Sequence, residues 1–314
     1  MMNRAVEIGE ITSNKDFNIG SSLAVGFFDG VHRGHQLILS KAIEKAKLCD
    51  VPSVALTFDL RPKNVIADFE IAKLINTFNE KVSLLYEFGI DLVSYVRFNT
   101  DFARMTANDF CENILLNKFC PRVITIGSDF RFGYRAMGNH RFIKEFFSGL
   151  NITVDVVDLL TINGVTVSST MIRNLIKLGK VREAAGYIGR SFSLYGTVIK
   201  GSGRGKKLGF PTLNLKPEPY LILPKDGVYA VIVEIAGQRL KGVLNVGIRP
   251  TFEDSRRVIE VHIIDDGHQG THQRFGVHFV ERLRDEIKFE NHELLIEQIK
   301  MDILRAKEVL LVYL

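Results

Sequence analysis

The sequence predicts a two-part protein: an α/β domain built on a parallel sheet, then a small antiparallel β-barrel with a C-terminal helix. Three observations carry that expectation. Residues 1–187 alternate short apolar runs with amphipathic helical stretches, the texture of βαβ units. After about residue 190, strand-like runs follow one another with Gly-rich or charged punctuation in place of helices. A chain of 314 residues is long enough for two domains that each bury a core, and the change of texture puts the border between 187 and 188.

Taken in order, the apolar runs Leu23–Phe28, Val51–Phe58, Leu92–Phe98, Val123–Gly127 and Thr153–Leu160 have the length and continuity of strands buried on both faces. Gln36–Leu48 carries Leu39, Ala42, Ile43 and Ala46 at helical spacing, which makes one apolar face. Thr106–Phe119 repeats the pattern with Phe110, Ile114 and Leu115, and Thr106 ahead of Ala107-Asn108-Asp109 reads as its N-terminus. Helical stretches at Ser168–Leu178 and Val181–Tyr187 close the first domain. In the second, Ser193–Lys200, Gly227–Ile235, Leu240–Val246, Val258–Ile264 and Phe275–Arg282 are strand-like. Glu293–Leu311 is an amphipathic helix with Leu294, Leu295, Ile299, Ile303, Ala306 and Leu310 on one side.

Composition narrows the function classes. At 46% hydrophobic and 25% charged, with 26 Gly and 8 Pro, collagen-like, low-complexity and disordered readings are excluded. Cys49, Cys111 and Cys120 form no C-x-x-C pair, which argues against a disulfide framework or a zinc knuckle. The first residues contain no apolar signal-peptide core, and no apolar run is long enough for a bilayer, so a cytoplasmic protein without a membrane partner is expected. The 41 Lys+Arg against 36 Asp+Glu are scattered, apart from short runs around Arg204–Lys207 and Arg282–Arg284. A dedicated nucleic-acid binder usually concentrates its charge in blocks, and small phosphorylated ligands explain the surplus as well, so no nucleic-acid partner is expected.

Two segments carry phosphate chemistry. In the first, the run Leu23–Phe28 leads into Asp29-Gly30-Val31-His32-Arg33-Gly34-His35 and then a helix. A strand turning into a helix start offers backbone N–H groups and the positive end of the helix dipole. His32 and His35, three residues apart, can both face a phosphate there, and Gly30 and Gly34 let the backbone come close. Such a site stabilises charge on an α-phosphate as pyrophosphate leaves. Ser168, Ser169 and Thr170, with Arg173 one turn on, supply hydroxyls and a guanidinium suited to further phosphates; alone, they also fit a helix cap with a solvated Arg.

The second segment, residues 201–214, is Gly-rich and basic: Gly201, Gly203, Gly205, Lys206, Lys207 and Gly209, then Pro211-Thr212-Leu213-Asn214. It is neither a Walker A loop nor a dinucleotide fingerprint, since Lys206 stands where the last Gly of G-x-G-x-x-G belongs. Backbone N–H groups of such a loop can wrap polyphosphate. Thr212 and Asn214 alternate on an extended stretch and face one way, as ligands of a phosphate-bound Mg²⁺ would. Among His262, His268, His272 and His278 no H-x-x-x-H pair sits on a clear helix, so Mg²⁺ with the nucleotide is the only metal expected, and no tightly bound prosthetic group is.

These segments carry a family resemblance. GFFDGVHRGHQ, GSDFRFG (127–133) and VSSTMIR (167–173) resemble, in order and spacing, the adenylyltransferase half of bacterial bifunctional riboflavin kinase/FMN adenylyltransferases. LGFPTLN (208–214), GVLNVGIRPTF (242–252), VIEVHIID (258–265) and RDEIKF (284–289) are similar to the kinase half. The resemblance implies a Rossmann-like nucleotidyltransferase domain followed by a riboflavin kinase barrel, with riboflavin, FMN and ATP as substrates. It implies that Gly26, Phe28, Asp29, Gly30, His32, Gly34, His35, Asp129, Ser168, Ser169, Thr170 and Arg173 form the first ATP site. Gly201, Gly203, Gly205, Lys207, Gly209, Pro211, Thr212 and Asn214 would form the second, with Mg²⁺ on Thr212 and Asn214. It further implies that Glu260 is the base for the ribityl hydroxyl, and that Asn245, Arg284, Glu286 and Phe289 lie at the flavin. Arg61, where the family pattern has His, and Asp266–Gly270 depart from that pattern. A chain with one of the two activities, or a non-catalytic flavin or RNA binder of the same fold, is the alternative.

Overall fold

The computed structural model describes residues 5–11, 17, 19–59, 73–201, 203–248, 257–264 and 273–313, without the side chains of residues 204 and 207. The departures at Arg61 and Asp266–Gly270, with His268 and His272, lie outside the described residues. The chain forms two units, residues 1–169 and 170–314.

In the first unit, six strands form one all-parallel sheet: β1 (Val6–Glu7), β2 (Ser21–Val25), β3 (Ser53–Phe58), β4 (Leu92–Val96), β5 (Pro121–Gly127) and β6 (Thr153–Val157), in the order β1-β4-β3-β2-β5-β6. Alternate residues of the buried strands serve opposite faces. Ala24, Ala55 and Val93 pack with Leu39 and Ala42 of α1 (Arg33–Cys49) and with Val82 and Leu85 of α2 (Phe78–Glu87). Leu23, Val25, Val54, Leu56, Ile124 and Ile126 pack with Phe110, Ile114 and Phe119 on the other side. Both faces are covered, as a parallel sheet requires.

Sequence periodicity places these elements well and their ends less well. α1 starts at Arg33, three residues before the expected Gln36, because His32 takes the N-cap: its Nδ1 accepts the His35 backbone N–H at 3.3 Å. Thr106 caps its helix as expected, its Oγ1 accepting the Asp109 N–H at 3.1 Å. The centre of that stretch, Phe110–Leu116, is a π-helix, not the α-helix its spacing implies. The wider turn puts both Phe110/Cys111 and Ile114/Leu115 in the core. α2 has no counterpart among the expected helices, although Thr77 and Glu80 form a reciprocal capping box at its start.

In the second unit, α3 (Ser169–Lys177) and α4 (Val181–Ile188) precede a closed antiparallel barrel. After the short hairpin β7 (Thr161–Ile162) and β8 (Val165–Thr166) of the first unit, the barrel strands are β9 (Phe192–Ile199), β10 (Leu213–Pro217), β11 (Gly227–Ile235), β12 (Gln238–Ile248), β13 (Arg257–Ile263) and β14 (Arg274–Arg284). They close in the order β10-β13-β12-β11-β14-β9. Tyr229, Val231, Leu244, Val261, Phe279 and Phe192 are on one face and fully buried. The opposite face carries Val228, Ala230 and Ile232, which pack with Ala306 and Leu310 at the end of α5 (His292–Val309) and just beyond. That face is therefore the outside of the barrel.

Candidate active sites

The first site forms where the parallel sheet reverses direction. β2 is flanked by β3 on one side and β5 on the other, so the loops leaving β2 and β5 border the crevice at their carboxyl ends, the ligand position of open α/β sheets. The loop after β2 is strained: Phe28 and Val31 hold φ of 54° and 39°, in the left-handed region, and Gly30 stands at 87°. Phe28 is buried and meets the His35 ring edge-on at 5.4 Å between centroids; Gly26 gives room to the Phe28 ring. His32 and His35 stack at 3.5 Å, with Gly34 against the His32 ring.

The first turn of α1 contains no acidic residue, which leaves its positive end uncompensated. His35 Nδ1 is buried without a hydrogen-bond partner. Burial, then the charge of His32 and of Lys81, holds the His35 pKa well below 6.5. A buried, unpartnered imidazole nitrogen at an acid-free helix start is matched to an anionic oxygen.

The other expected members divide by role. Asp29 is buried; its Oδ1 accepts the Ile75 N–H at 2.9 Å, and its carbonyl accepts the Ser169 hydroxyl at 3.0 Å. Asp29 thus ties the loop to its surroundings. Asp129 is exposed in the loop after β5, its Oδ1 over Gly127. Ser168 and Ser169 close the first unit, while Thr170 and Arg173 belong to the second, where Arg173 Nη2 donates to Thr170 Oγ1 at 3.0 Å. Lys81 is a residue that sequence reasoning misses. Its ammonium is buried beside this loop, and burial pushes its pKa down to about 7 against the pull of Asp29 and Asp59. Its only signal is a lysine one turn past the Thr77 capping box.

The second site lies on the outside of the barrel. Antiparallel register sets Asn214, Glu260 and Asn245 side by side on β10, β13 and β12, all facing one way. The segment 201–209 folds over the first of them. It is more than an extended loop: Arg204–Lys207 makes one helical turn, ended by Gly209 at φ 87°. A Cβ on Gly201 would collide with the Asn214 amide group, and one on Gly205 would collide with the Phe210 carbonyl and sit 3.3 Å from Thr212 Oγ1. Thr212 and Asn214 therefore face the same Gly-lined cradle. Gly203 is left-handed at φ 71°. Pro211 is held by its carbonyl, which lies 2.9 Å from His262 Nδ1, so that histidine positions the segment.

Toward α5, Asn245 Nδ2 donates to Glu286 Oε1 at 3.2 Å, with the Glu286 carboxylate against Gly247. Arg284 forks onto Asp302, with Nε and Nη2 donating at 2.9 and 2.7 Å, and its guanidinium lies 5.9 Å from the Phe289 ring centre. His278 is paired with Glu234 at 2.9 Å. Among the described residues no group of three or more His, Cys, Asp or Glu gathers to hold a metal. One hydroxyl and one amide at the Gly-lined cradle suit a cation brought in by phosphates, with waters completing its shell.

Comparison with known proteins finds one family over each part of the chain. The family model for FAD synthetase matches residues 14–171, and that for riboflavin kinase matches residues 188–310. The bifunctional riboflavin kinase/FMN adenylyltransferase of Buchnera aphidicola subsp. Schizaphis graminum is 33% identical over 92% of this chain and 94% of its own. Its namesakes in Listeria monocytogenes and Escherichia coli K12 are each 32% identical, over 93% and 92% of this chain and the same shares of their own. A solved structure described as a macrolide-efflux protein from Streptococcus pneumoniae superposes with a TM-score of 0.87 at 28% identity, covering 96% of this chain and 98% of that one. Among the described residues no helix is long and apolar enough to cross a membrane. With an FAD synthetase module ahead of a riboflavin kinase module, the chain belongs to the bifunctional riboflavin kinase/FMN adenylyltransferase family, transferases that make flavin cofactors.

Proposed function

We propose that residues 1–187 carry the adenylyl-transfer step and residues 188–314 the kinase step, with the functional border between 187 and 188, where the riboflavin kinase match begins. In the kinase step Glu260 takes the proton of the riboflavin 5′-hydroxyl. The resulting oxygen attacks the γ-phosphorus of ATP, the bond to the β,γ-bridging oxygen breaks, and ADP leaves. The observation that carries this is the cross-strand row Asn214–Glu260–Asn245, which puts a carboxylate on a rigid strand beside the Gly-lined cradle. Mg²⁺ bound with ATP would neutralise phosphate charge there, held through Thr212 and Asn214.

In the adenylylation step an oxygen of the FMN phosphate attacks the α-phosphorus of a second ATP and pyrophosphate leaves. The nucleophile is already an anion, so no base is required. His32, His35 and the first turn of α1 meet the charge on the phosphates. Asp129 belongs with them at the nucleotide, and Asn245, Arg284, Glu286 and Phe289 form the flavin site of the kinase. The substrates and the scattered surface charge are those of a cytoplasmic enzyme with no nucleic-acid partner.

Chromatography after incubating the pure protein with riboflavin and Mg-ATP tests the assignment. FMN together with FAD is the expected result. FMN alone would show that the first site is silent, and neither product would favour a non-catalytic binder.

A further inference from the structure

Lys81 is a costly residue with no place in the two steps as written. It is 4% exposed, in the first turn of α2, where the helix dipole also opposes a cation. Its Nζ donates to the carbonyls of Phe58 at 2.7 Å and Phe27 at 3.1 Å, and lies 4.4 Å from the centre of the Phe27 ring and 5.5 Å from that of Phe78. Among the described residues, the charged and titratable groups that face it are Asp29 from the loop after β2, Asp59 just past β3, and His35 from α1, itself stacked on His32. An apolar side chain of similar volume would fill the slot without burying a charge, so stability does not account for a lysine here.

What the ammonium holds does account for it. Phe27 O and Phe58 O are carbonyls at or just past the carboxyl ends of two adjacent parallel strands. Phe27 stands immediately before the strained turn in which Phe28, Gly30 and Val31 all have positive φ. A left-handed, β-branched Val31 persists only where neighbours over-determine it. Thr57 Oγ1 also donates to Phe27 O, at 3.0 Å, so this one carbonyl is clamped twice.

We infer that Lys81 is a positioning residue for adenylyl transfer, whose ammonium fixes the strained loop leading to His32 and His35 and adds a positive charge beside them for the incoming phosphates. The inference rests on the adenylyltransferase reading of the first unit, and it makes the FMN-to-FAD step depend on the protonation of a group outside direct contact with the chemistry.

The test is the pH profile of FMN adenylylation by the full chain with Mg-ATP, for the wild type, Lys81→Met and Lys81→Arg. In the wild type, kcat/KM for ATP falls as pH rises above about 7, where free Lys81 loses its proton, while kcat stays flatter because bound phosphate holds the proton on. Lys81→Met lowers kcat/KM by about 100-fold at neutral pH and removes the alkaline fall. Lys81→Arg keeps its charge, recovers part of the activity and stays flat. Riboflavin phosphorylation by the same preparations is unchanged. Wild-type kcat/KM in Lys81→Met, or the same alkaline fall in every variant, overturns the inference. Should Lys81→Met not fold, the wild type and Lys81→Arg decide it: identical profiles refute, and a flat Lys81→Arg profile beside a falling wild type supports. A wild type that makes FMN but no FAD would instead sink the adenylyltransferase reading itself.

Discussion

The two proposed phosphate sites of this chain would solve related problems with opposite materials. In the first unit the parallel sheet gathers strand ends and the N-terminus of α1 at one edge, so on the proposed reading a loop and a helix dipole would do the binding. The antiparallel barrel has no such edge. Its site lies on an outer face, where a Gly-rich segment supplies the backbone that a helix start supplies in the first unit. The charges differ for a chemical reason. A phosphate nucleophile needs no base, so the first site pairs imidazoles and keeps acids out of the first turn of α1. A hydroxyl nucleophile needs one, which is the role proposed for the carboxylate of Glu260 in the second.

Reciprocal substitutions are the strongest way to break this contrast. Glu260→Ala should lower FMN formation by about 10²–10⁴-fold and leave conversion of supplied FMN to FAD intact. His35→Ala should do the reverse, with a loss of about 10²–10³-fold in FAD formation. Loss of both activities in either folded variant would dissolve the partition. Next in size is Asp302→Ala. It strips the carboxylate from the half-buried Arg284 fork and should destabilise the second unit by about 3 kcal/mol in a denaturant titration. A smaller effect would release Arg284 for direct contact with flavin.

Gly205→Ala sharpens the comparison at the cradle. Its Cβ meets the Phe210 carbonyl, so a shift costing about 1–3 kcal/mol is expected, seen as a higher KM for ATP in the kinase step alone. A change of comparable size is expected in stability against pH. Below about 7 Lys81 is charged in both folded and unfolded chains and its burial penalty is complete. As pH rises toward 10.5 only the unfolded chain holds that proton, and the penalty disappears. Calorimetry at pH 7 and 9 should therefore show a transition that rises with pH in the wild type and stays level in Lys81→Met. On the acid side, His35 and His278 are both held neutral by burial, so both units should lose stability as pH falls below 6.5.

Much of both sites is legible in the sequence. The run from Leu23 to His35 announces a strand turning into a helix, and Thr212 with Asn214 announces a pair facing one way. The start of α1 is harder to place, because a histidine cap lies outside the usual Ser, Thr, Asp and Asn, and a polar Arg33-Gly34-His35 looks like loop. The helical turn within Gly201–Gly209 is hidden because glycines carry no helical signal. Nothing local to Arg284 reveals that Asp302, eighteen residues on, accepts its fork.

Local order along the chain determined the alternation of strands and helices, the change of texture at the second domain, and both candidate phosphate segments, because hydrophobic period and glycine placement act over a few residues. Tertiary structure alone decided that Glu260 stands between Asn214 and Asn245, and that the ammonium of Lys81 is sealed under the loop leading to His32 and His35. Strand register and burial depend on which distant segments meet, and that is set by the packing of the whole core rather than by any neighbouring residues.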